Sequence, residues 1–457
     1  MKGREKEKNK LLEFLSGANK ACMVYGLRRI GKSYLIQNTL EISGKKFLYY
    51  ECAEASLGTN LRLFCSLFGI NPALPYATFL DAFIELGNRH KEIIIVIDEY
   101  QNLNKGEADA DIDSLMQVAI DQMPKGMKII ICGSYVTAMK KLMHKDNLLF
   151  GRFDPVIHLN AFDYLDSSLF YEELSIREKI AFYAVFGGCP YINDKLNPQE
   201  GLKSNIVNIL IEQDSTARNY IENQLFKEIK KIDGINDILS IIANGKRSYS
   251  DIQSRLTGKS NSYAADRLSI LEEMEIVQKV APINAPDNKK KTRYEIKDNL
   301  LRFYYAYIFP NRSVISILGG NTFFDSYISR SLDTFISYRF EGIAKEYFSR
   351  LAKNGQLPGI LNIGTFYYND PKAKRNGEFD VALKFGDGYD IFEVKYLNDK
   401  MSKDLMEDEI NKIKAIKSFT PREIGLVSAS GFASAKNSTI LIKGEDIYSV
   451  SYPADYK

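Results

Sequence analysis

The sequence predicts an α/β fold, and three observations lead to this expectation. Over the first 160 of its 457 residues, short apolar runs alternate with segments of helix length. One apolar run leads into a glycine-rich turn, and another ends in two acidic residues. The last hundred residues return to α/β character after a long helical stretch. Strands that are apolar throughout and separated by helices are typical of a parallel sheet covered on both faces.

Composition narrows the class of protein. Apolar residues make up 45% and charged residues 26%, the balance of a globular chain, and the net charge is only +3. The apolar runs, such as Ile93–Ile97, are far shorter than the ~18 residues of a membrane span. The amino terminus lacks the apolar stretch of a secretory signal. Five cysteines without short spacings and three separated histidines argue against a disulfide framework and a His-rich metal site. We expect a soluble, cytoplasmic, multidomain protein without membrane contact.

The elements of the first region follow from apolar runs and periodicity. The predicted strands are Ala21–Tyr25, Lys46–Tyr50, Ile93–Ile97, Lys128–Cys132 and Val156–Leu159. The predicted helices between them include Lys32–Ile42, Thr78–Asn88 and Asp111–Gln122. From about residue 163 to residue 226, apolar residues recur at three- and four-residue steps, which predicts further helices.

The segment GLRRIGKS, from Gly26 to Ser33, has the spacing of a P-loop. It lies between a predicted strand and a predicted helix, where backbone N–H groups and the helix dipole can bind phosphates. Lys32 is expected to reach the β- and γ-phosphates, and the Ser33 hydroxyl to coordinate Mg²⁺. The residues expected to bind the nucleotide here are Gly26, Leu27, Arg28, Arg29, Ile30, Gly31, Lys32 and Ser33.

Acidic and polar residues at the ends of later strands support this site. Asp98 and Glu99 follow a buried strand, where α/β sheets bind ligands. We expect Asp98 in the Mg²⁺ shell and Glu99 to orient or deprotonate the attacking water. Ser134 either senses the γ-phosphate or only ends a strand. Arg152 is interpreted either as an arginine finger, in cis or from a neighbouring copy, or as an ordinary exposed arginine.

Residues 230–300 have the order of a winged helix-turn-helix. Three helices are predicted at Ile235–Ala243, Ser248–Arg255 and Ser260–Met274, before β-prone runs at Ile276–Ala281 and Thr292–Ile296. If the segment binds DNA, its third helix enters the major groove and the basic loop 289–293 contacts phosphates. The alternative is a module that relays the nucleotide state within the chain. Three glutamates near the end of the third helix favour this alternative, because they would repel a phosphate backbone.

Two neighbouring β-prone runs near the carboxyl terminus carry acidic residues and a lysine. Asp380 lies in Glu378–Phe385, and Glu393 and Lys395 lie in Tyr389–Tyr396. Side chains alternate along a strand, so Glu393 and Lys395 share a face, and pairing of the strands would bring Asp380 close to Glu393. Two carboxylates can bind one or two Mg²⁺ ions, and Lys395 would position water and stabilise charge on a phosphate.

With these motifs the chain resembles the archaeal-type P-loop ATPases of the AAA+/STAND group that carry a nuclease-like (DUF234-type) domain. The matching pieces are Gly3–Glu5 (GRE), the P-loop, Ile97–Gln101 (IDEYQ), Gly187–Tyr191 (GGCPY) and Tyr294–Phe303 (YEIKDNLLRF). The resemblance implies ATP as the nucleotide and a helical lid, with Pro190 in an element that approaches the bound base. Leu27 departs from the arginine usual in the family, but the phosphate-binding positions are intact.

Asp380, Glu393 and Lys395 also resemble the core of PD-(D/E)xK nucleases, which have a restriction-endonuclease-like α/β fold. Glu341, on the preceding helix, is a possible further metal ligand by this resemblance. The short motif is equally compatible with a structural hairpin or with an inactive nuclease relic.

Together these predictions divide the chain into four parts and leave three functions open. The parts are a P-loop ATPase core (1–160), a helical lid (161–229), a winged helix-turn-helix (230–310) and a PD-(D/E)xK nuclease-like domain (311–457). The first hypothesis is an ATP- and Mg-dependent ATPase whose nucleotide state gates cleavage of nucleic acid, with DNA favoured over RNA. The second is a nucleotide-controlled switch whose nuclease-like domain only binds nucleic acid or a protein. The third is a DNA-bound regulator without hydrolytic output. A homo-oligomer is left open, and an arginine finger in trans would require one.

Overall fold

The structure is a computed structural model of the chain. It describes residues 2–70, 78–104, 112–212, 214–222, 234–245, 247–256, 258–260, 262–370, 375–416, 419–434 and 439–450. The chain divides into two compact units, Met1–Asn160 and Ala161–Lys457. The predicted boundaries at residues 226 and 229 lie outside the described residues. None of the described helices combines the length and the apolar character that crossing a membrane requires.

A five-stranded parallel sheet forms the centre of the first unit. Its strands are β1 (Ala21–Tyr25), β2 (Phe47–Glu51), β3 (Ile93–Asp98), β4 (Met127–Gly133) and β5 (Val156–His158). They lie in the order β2-β3-β4-β1-β5, so the predicted parallel α/β fold is confirmed. Because all strands run in the same direction, the carboxyl ends of β1, β3 and β4 meet at one edge of the sheet.

Helices cover both faces of this sheet. They are α1 (Glu5–Ser16), α2 (Lys32–Ser43), α3 (Leu57–Leu67), α4 (Phe79–Arg89), α5 (Ile112–Gln122) and α6 (Val136–Lys141), and a 3-10 turn spans Tyr100–Asn104. Along β1, Cys22 and Val24 join the apolar cluster of α1 and α2, whereas Ala21 and Met23 join that of α3, α4 and α5. Both faces of the strands are therefore buried, which explains their continuous apolar runs. Asp111, the first residue of a predicted helix, lies outside the described residues.

The second unit begins with short helices. They are α7 (Tyr164–Ser168), α8 (Ile176–Phe186), α9 (Pro190–Asn193), α10 (Gly201–Ile206) and α11 (Thr216–Tyr220), with a 3-10 turn at Pro198–Glu200 and a π-helical turn at Val207–Ile211. Ser175 and Glu178 form a capping box at the start of α8, which satisfies two backbone N–H groups there. The chain from Ile180 to Phe186 is buried in the large apolar cluster of this unit.

Three helices and an antiparallel pair of strands follow, and we name Ile235–Ile296 the helix–hairpin segment. Its elements are α12 (Ile235–Ala243), α13 (Tyr249–Arg255), α14 (Tyr263–Glu273), β6 (Val277–Val280) and β7 (Arg293–Ile296). They occur in the order that the sequence predicts. Asn261, inside the predicted third helix, lies outside the described residues.

A second five-stranded sheet lies near the carboxyl terminus. It is reached through α15 (Asn299–Phe303), a π-helical turn (Tyr304–Ile308), a 3-10 turn (Phe309–Asn311), α16 (Arg312–Leu318), α17 (Gly320–Phe323), a second π-helical turn (Phe324–Ile328) and the long α18 (Ser329–Lys353). The strands and later helices are β8 (Asn362–Asp370), β9 (Arg375–Phe385), β10 (Gly388–Lys395), α19 (Lys403–Lys414), β11 (Ile424–Ser428), β12 (Ile440–Lys443) and α20 (Gly444–Tyr448).

This second sheet mixes antiparallel and parallel pairs. Its order is β12-β11-β10-β9-β8, with β8, β9 and β10 antiparallel and β10, β11 and β12 parallel. Phe348 of α18 packs on Phe392 on one face, whereas Met406 and Ile410 of α19 belong to the apolar cluster on the other. The α/β character predicted for this region is confirmed. The sequence also predicts a helix at Ser402–Lys417 and a strand at Ser438–Ile442, and the end residues Lys417 and Ser438 lie outside the described residues.

Candidate nucleotide site and acidic cluster

The P-loop turn links β1 directly to α2. Gly26 lies so close to Leu159 that a Cβ at this position would overlap the Leu159 carbonyl oxygen. Arg29 and Gly31 have φ angles of 58° and 93°, and this left-handed backbone turns the chain into α2, which begins at Lys32. The first N–H groups of an α-helix have no partner within the helix. The turn and the helix start therefore form the arrangement that binds phosphate groups in other proteins.

Lys32 is buried and is bound to the turn itself. Its Nζ donates hydrogen bonds of 2.9 Å to the carbonyl oxygens of both Gly26 and Leu27. These bonds hold the ammonium group beside the turn whose backbone N–H groups would bind a phosphate. The predicted role of Lys32 stays a prediction, and a bound phosphate would compete with these carbonyls for its donors.

Asp98 connects the P-loop to the end of β3. The Ser33 hydroxyl donates a 2.7 Å hydrogen bond to Oδ2 of Asp98, and the Tyr49 hydroxyl donates to the same oxygen. The backbone N–H of Glu99 donates to Oδ1 at 2.8 Å. Burial, and after it the charge of Asp98, raise the pKa of Tyr49 well above its usual value, so its hydroxyl stays a donor. The side-chain oxygen atoms of Ser33 and Asp98 are thus adjacent, and they would suit the Mg²⁺ that accompanies ATP.

Glu99 lies beside Asp98 and is held by two polar side chains. It has a left-handed backbone, with φ of 52°. Its Oε2 accepts a 2.7 Å hydrogen bond from the Ser134 hydroxyl and another from the Gln101 amide. The Gln101 amide also lies 3.2 Å from the Ser134 hydroxyl. Three side chains from the ends of β3 and β4 therefore form one network at the edge of the sheet that carries the P-loop.

Arg152 lies elsewhere in the first unit. It precedes β5, and two residues later the backbone N–H of Asp154 bonds to Ala21, the first residue of β1. Arg152 therefore lies at the edge of the sheet opposite to the P-loop. Its guanidinium forms two hydrogen bonds, 3.0 and 2.9 Å long, with the Asp121 carboxylate. The structure does not bring it to the P-loop of the same chain, so a role in cis does not fit this position, and a role in trans stays a prediction.

The structure adds residues to the nucleotide site that the sequence analysis did not single out. Arg4 is buried, and its Nη2 donates to the carbonyl oxygens of Ile30 at 3.3 Å and Asn160 at 2.6 Å, so it braces the P-loop from the amino terminus. Gln101 and Tyr49 bind the two acids. Gln101 could have been found from its place in IDEYQ, whereas no sequence signal marks Tyr49.

Pro190 lies in the second unit. It is the first residue of α9, and the carbonyl of the nearby Gly188 accepts a 2.9 Å hydrogen bond from the N–H of Phe162. A Cβ on Gly188 would overlap the Phe162 backbone, so this close approach requires glycine. The predicted approach of Pro190 to the base of the nucleotide stays a prediction.

The acidic residues and the lysine predicted near the carboxyl terminus lie together, and we name Asp380, Glu393, Lys395 and Glu409 the acidic cluster. Lys395 Nζ lies 3.0 Å from Glu393, 3.6 Å from Glu409 and 4.0 Å from Asp380. Asp380 also accepts a 2.9 Å hydrogen bond from the N–H of Val394. β9 and β10 are antiparallel, and this pairing places Asp380 beside Glu393. Glu409, on α19, was missed because nothing in the sequence indicates which face of that helix meets the sheet.

Burial and the neighbouring charges change the pKa values of these side chains. Burial, and after it the charge of Asp380, raise the pKa of Glu393 to about 8. The same two causes raise the pKa of Glu341, on α18, to about 7, which shows that Glu341 lies within electrostatic range of Asp380. Burial acts to lower the pKa of Lys395, but the charges of Glu393, Asp380 and Glu409 outweigh it and raise this pKa. Lys395 therefore remains a cation among the carboxylates.

The acidic cluster offers two neighbouring carboxylates to a metal ion. Within the described parts of the chain, no three His, Cys, Asp or Glu side chains converge closely enough to hold a metal ion. Glu341 thus does not complete a group of three carboxylate ligands with Asp380 and Glu393. The remaining pair, Asp380 and Glu393, provides oxygen atoms that suit Mg²⁺, and an ion there would draw its other ligands from water or substrate.

The loop between β6 and β7, which includes the basic residues 289–293, contacts the carboxyl-terminal sheet. The N–H of Ile283 donates a 2.9 Å hydrogen bond to Thr365, and the Asn284 side chain forms two bonds, 2.8 and 3.0 Å long, with the Tyr367 backbone. Lys291 lies 3.5 Å from the centre of the Tyr367 ring. Lys291, one of the residues predicted to contact DNA phosphates, is therefore used within the chain, which favours the relay interpretation of this segment.

Comparison with known proteins gives the family. Residues 2–192 match a family model described as an ATPase domain predominantly from Archaea. Residues 304–413 match a model described as "Archaea bacterial proteins of unknown function". An uncharacterised protein of Methanocaldococcus jannaschii is 30% identical over 420 residues, which cover 90% of this chain and 89% of that protein. The chain belongs to this archaeal ATPase family.

Solved structures show the fold of this family member. A Walker-type ATPase of Pyrococcus abyssi is 20% identical, with a TM-score of 0.50, and the match covers 67% of this chain and 96% of that one. The ORC2 protein of Aeropyrum pernix is 15% identical, with a TM-score of 0.44, over 66% of this chain and 90% of that one. The first similarity supports the P-loop ATPase fold alone, and the second is too distant to add to it.

The family match covers both sites of this ATPase. The ATPase region includes the P-loop, Asp98 and Glu99, so the first unit is an ATPase-type domain that binds ATP. The region of unknown function includes Glu341 and the whole acidic cluster. The predicted resemblance to archaeal ATPases with this second domain is confirmed.

Proposed function

We propose that the protein hydrolyses ATP at the P-loop and that its nucleotide state gates a Mg²⁺-dependent nuclease at the acidic cluster. The observation that carries the first part is the contact of Ser33 with Asp98 beside the buried Lys32. The observation that supports the second part is the contact of Lys395 with Glu393 and Asp380. DNA is the favoured substrate of the nuclease.

At the P-loop, each residue has a separate task. The N–H groups of the turn and of the α2 start bind the phosphates, and Lys32 exchanges its carbonyl partners for phosphate oxygens. Ser33 and Asp98 would hold Mg²⁺, which supplies positive charge to the phosphates when bound. Glu99 orients the attacking water or accepts its proton, once its carboxylate leaves the Gln101 and Ser134 donors. The water oxygen bonds to the γ-phosphorus as the bond to the ADP oxygen breaks.

The first experiment measures ATP binding and turnover. Lys32→Ala should lower turnover by at least about a hundredfold and weaken ATP binding, because it removes a charge from the phosphates. Lys46→Ala is the matched control, since this lysine lies before β2 and contacts His90. Unchanged turnover in the Lys32 variant would contradict the assignment of the nucleotide site.

At the acidic cluster, the proposed reaction is hydrolysis of a phosphodiester. Asp380 and Glu393 would hold Mg²⁺, which supplies a water of lowered pKa and charge stabilisation when bound. Lys395 positions the water and stabilises the charge that develops on the phosphate oxygens. The water oxygen bonds to phosphorus, the bond to the leaving oxygen breaks, and that oxygen takes up a proton.

The second experiment is a cleavage assay on single- and double-stranded DNA and RNA, with Mg²⁺ or Mn²⁺, and with or without ATP. Glu393→Gln should abolish cleavage and leave ATP turnover intact. Asp387→Asn is the matched control, because this exposed carboxylate lies in the turn at the other end of β10 and pairs with Arg422. Cleavage that persists in the Glu393 variant would contradict the site, and cleavage that ignores ATP would contradict the gating.

A nucleotide-controlled binding switch is the second candidate. The observation that favours it is the position of Lys395, whose ammonium lies within 4.0 Å of three carboxylates and already neutralises part of their charge. If the wild type binds nucleic acid or a protein in an ATP-dependent way but cleaves no substrate under any of these conditions, the switch is the correct function.

A further inference from the structure

A cavity of about 280 Å³ lies in the second unit, bordered by α8, the hairpin of the helix–hairpin segment and α18. Five cationic side chains line it: Arg247, Lys297, Arg302, Arg339 and Lys345. Three glutamates also line it: Glu295, Glu341 and Glu346. The cations outnumber the acids, although the whole protein carries almost no net charge.

Two of these five cations have no hydrogen-bond or ion-pair partner within the described structure. Glu295 bonds to Arg247 at 2.7 Å and lies 3.6 Å from Arg302, so it accounts for both of these arginines. Among the described residues, neither Arg339 nor Lys345 has a hydrogen bond or an ion pair. They are six residues apart on α18, and both line the cavity.

Arg302 adds a donor that the protein leaves unused. Its Nη2 donates to the carbonyl oxygen of Ile296 at 2.7 Å, but its buried Nε has no partner among the described residues. Burial, and after it the charge of Arg339, lower the pKa of Arg302 to about 9. A buried guanidinium donor without an acceptor is costly, and an anion in the cavity would remove part of this cost.

The acids of the cavity cancel only part of this charge. Burial acts to raise the pKa of Glu295, but the charges of Arg302, Arg339, Arg247 and Lys345 outweigh it and lower this pKa, so Glu295 is an anion. Burial raises the pKa of Glu341 to about 7 and that of Glu346 to about 8, so both carboxyls hold protons in much of the population at neutral pH. Glu341 lines the cavity, and the charge of Asp380 contributes to its raised pKa, so this wall of the cavity lies within electrostatic range of the acidic cluster.

We propose that this cavity binds the terminal phosphate of a nucleic-acid strand through Arg339 and Lys345. A phosphate monoester carries −1.5 to −2 charges and suits the two cations Arg339 and Lys345 better than a phosphodiester does, which carries one. A recess also admits a strand end more readily than the middle of a strand, which needs two exits. The identity of the ligand as a strand rests on the proposed nuclease function, since the acidic cluster would hold the adjoining phosphodiester.

The test measures binding of labelled oligonucleotides to the full-length protein in EDTA, where cleavage cannot occur. DNA and RNA strands with a 5′-phosphate, a 3′-phosphate or neither are compared by fluorescence anisotropy. The wild type should bind one phosphorylated end about tenfold more tightly than the hydroxyl end, as expected for charge-assisted hydrogen bonds. Arg339→Gln and Lys345→Gln should each reduce this preference to less than about threefold.

Matched controls lie on the same helix. Arg330→Gln and Lys353→Gln remove exposed cations near the two ends of α18 and should retain the preference. Arg339→Lys should keep part of it, because the charge remains while the planar fork is lost. Thermal unfolding of each variant shows whether it is folded, so a loss of preference in a folded variant supports the site.

Three outcomes would overturn this proposal. They are equal binding of phosphorylated and hydroxyl ends by the wild type, an unchanged preference in both cavity variants, and displacement of the strand by micromolar AMP or inorganic phosphate. The nuclease function is judged separately by the cleavage assay. If the wild type prefers phosphorylated ends but never cleaves, the assignment of the cavity stands and the nuclease function is wrong. If it cleaves without any preference for phosphorylated ends, the nuclease function stands and the assignment of the cavity is wrong.

Discussion

At the P-loop, Asp98 accepts hydrogen bonds from two hydroxyls and one backbone N–H, whereas in the acidic cluster Glu393 lies beside another carboxylate and a lysine. Neutral donors stabilise a carboxylate without adding charge, so Asp98 is prepared for a cation by its own surroundings. Glu393 depends on Lys395, and burial beside Asp380 raises its pKa. A carboxylate at a strand end can therefore be stabilised either by neutral hydrogen-bond donors or by an ion pair with a cation of the same chain.

The largest expected effect tests the dependence of the acidic cluster on its lysine. Lys395→Met should lower the free energy of unfolding of the second unit by about 2–3 kcal/mol, because three partly buried carboxylates lose their shared cation. Urea unfolding followed by fluorescence measures this change. Lys412→Met is the matched control, since this more exposed lysine pairs with the same Glu409 at 2.7 Å and should cost less than about 0.5 kcal/mol. Equal losses of unfolding free energy in the two variants would show that the acidic cluster does not depend on Lys395 for its stability.

The second prediction concerns Glu346, on α18 beside α8. Its carboxyl accepts hydrogen bonds from the Tyr164 N–H and the Tyr183 hydroxyl, and the charges nearby are Asp163 and Arg350. Burial, and after it the charge of Asp163, raise its pKa to about 8. The folded protein therefore keeps a proton that the unfolded chain releases above about pH 4.5.

This shift fixes the sign of the pH dependence. The contribution of Glu346 to stability is complete below about pH 4.5 and is lost as the pH rises to about 8, by more than about 1 kcal/mol. Glu346→Gln keeps an acceptor without a titrating group, so its unfolding free energy should fall less between pH 5 and 8 than that of the wild type. Parallel curves for the two proteins would show that Glu346 does not carry this dependence.

The smallest expected effect tests the neutral donors of Asp98. Tyr49→Phe removes one hydroxyl from the carboxylate and should lower ATP turnover by about three- to tenfold, since such a hydrogen bond contributes about 1 kcal/mol. Tyr50→Phe is the matched control, because the Tyr50 hydroxyl bonds to Asn60 instead. If both variants turn over ATP at the wild-type rate, Asp98 does not need this donor.

Much of the fold could be predicted because its signals are local. The buried strands of the first unit read as continuous apolar runs, and the P-loop requires glycine at positions set by spacing. Helix α3 was not among the predicted helices, although Leu57, Leu61 and Phe64 recur at four- and three-residue steps and Phe64 is buried in the apolar cluster. The position of Arg152 could not be predicted from the sequence, because only the pairing of β5 with β1 decides at which edge of the sheet this residue lies.

The sequence by itself determined the parallel α/β architecture, the phosphate-binding turn and the residue types of both acidic sites. Only the tertiary structure decided that Tyr49, Gln101 and Arg4 support the nucleotide site, that Glu409 joins the acidic cluster and that five arginine and lysine side chains line one cavity. The physical reason is the distance along the chain over which each effect acts. Periodicity and turn chemistry act over a few residues, whereas burial, ion pairing and pKa depend on neighbours that are far apart along the chain.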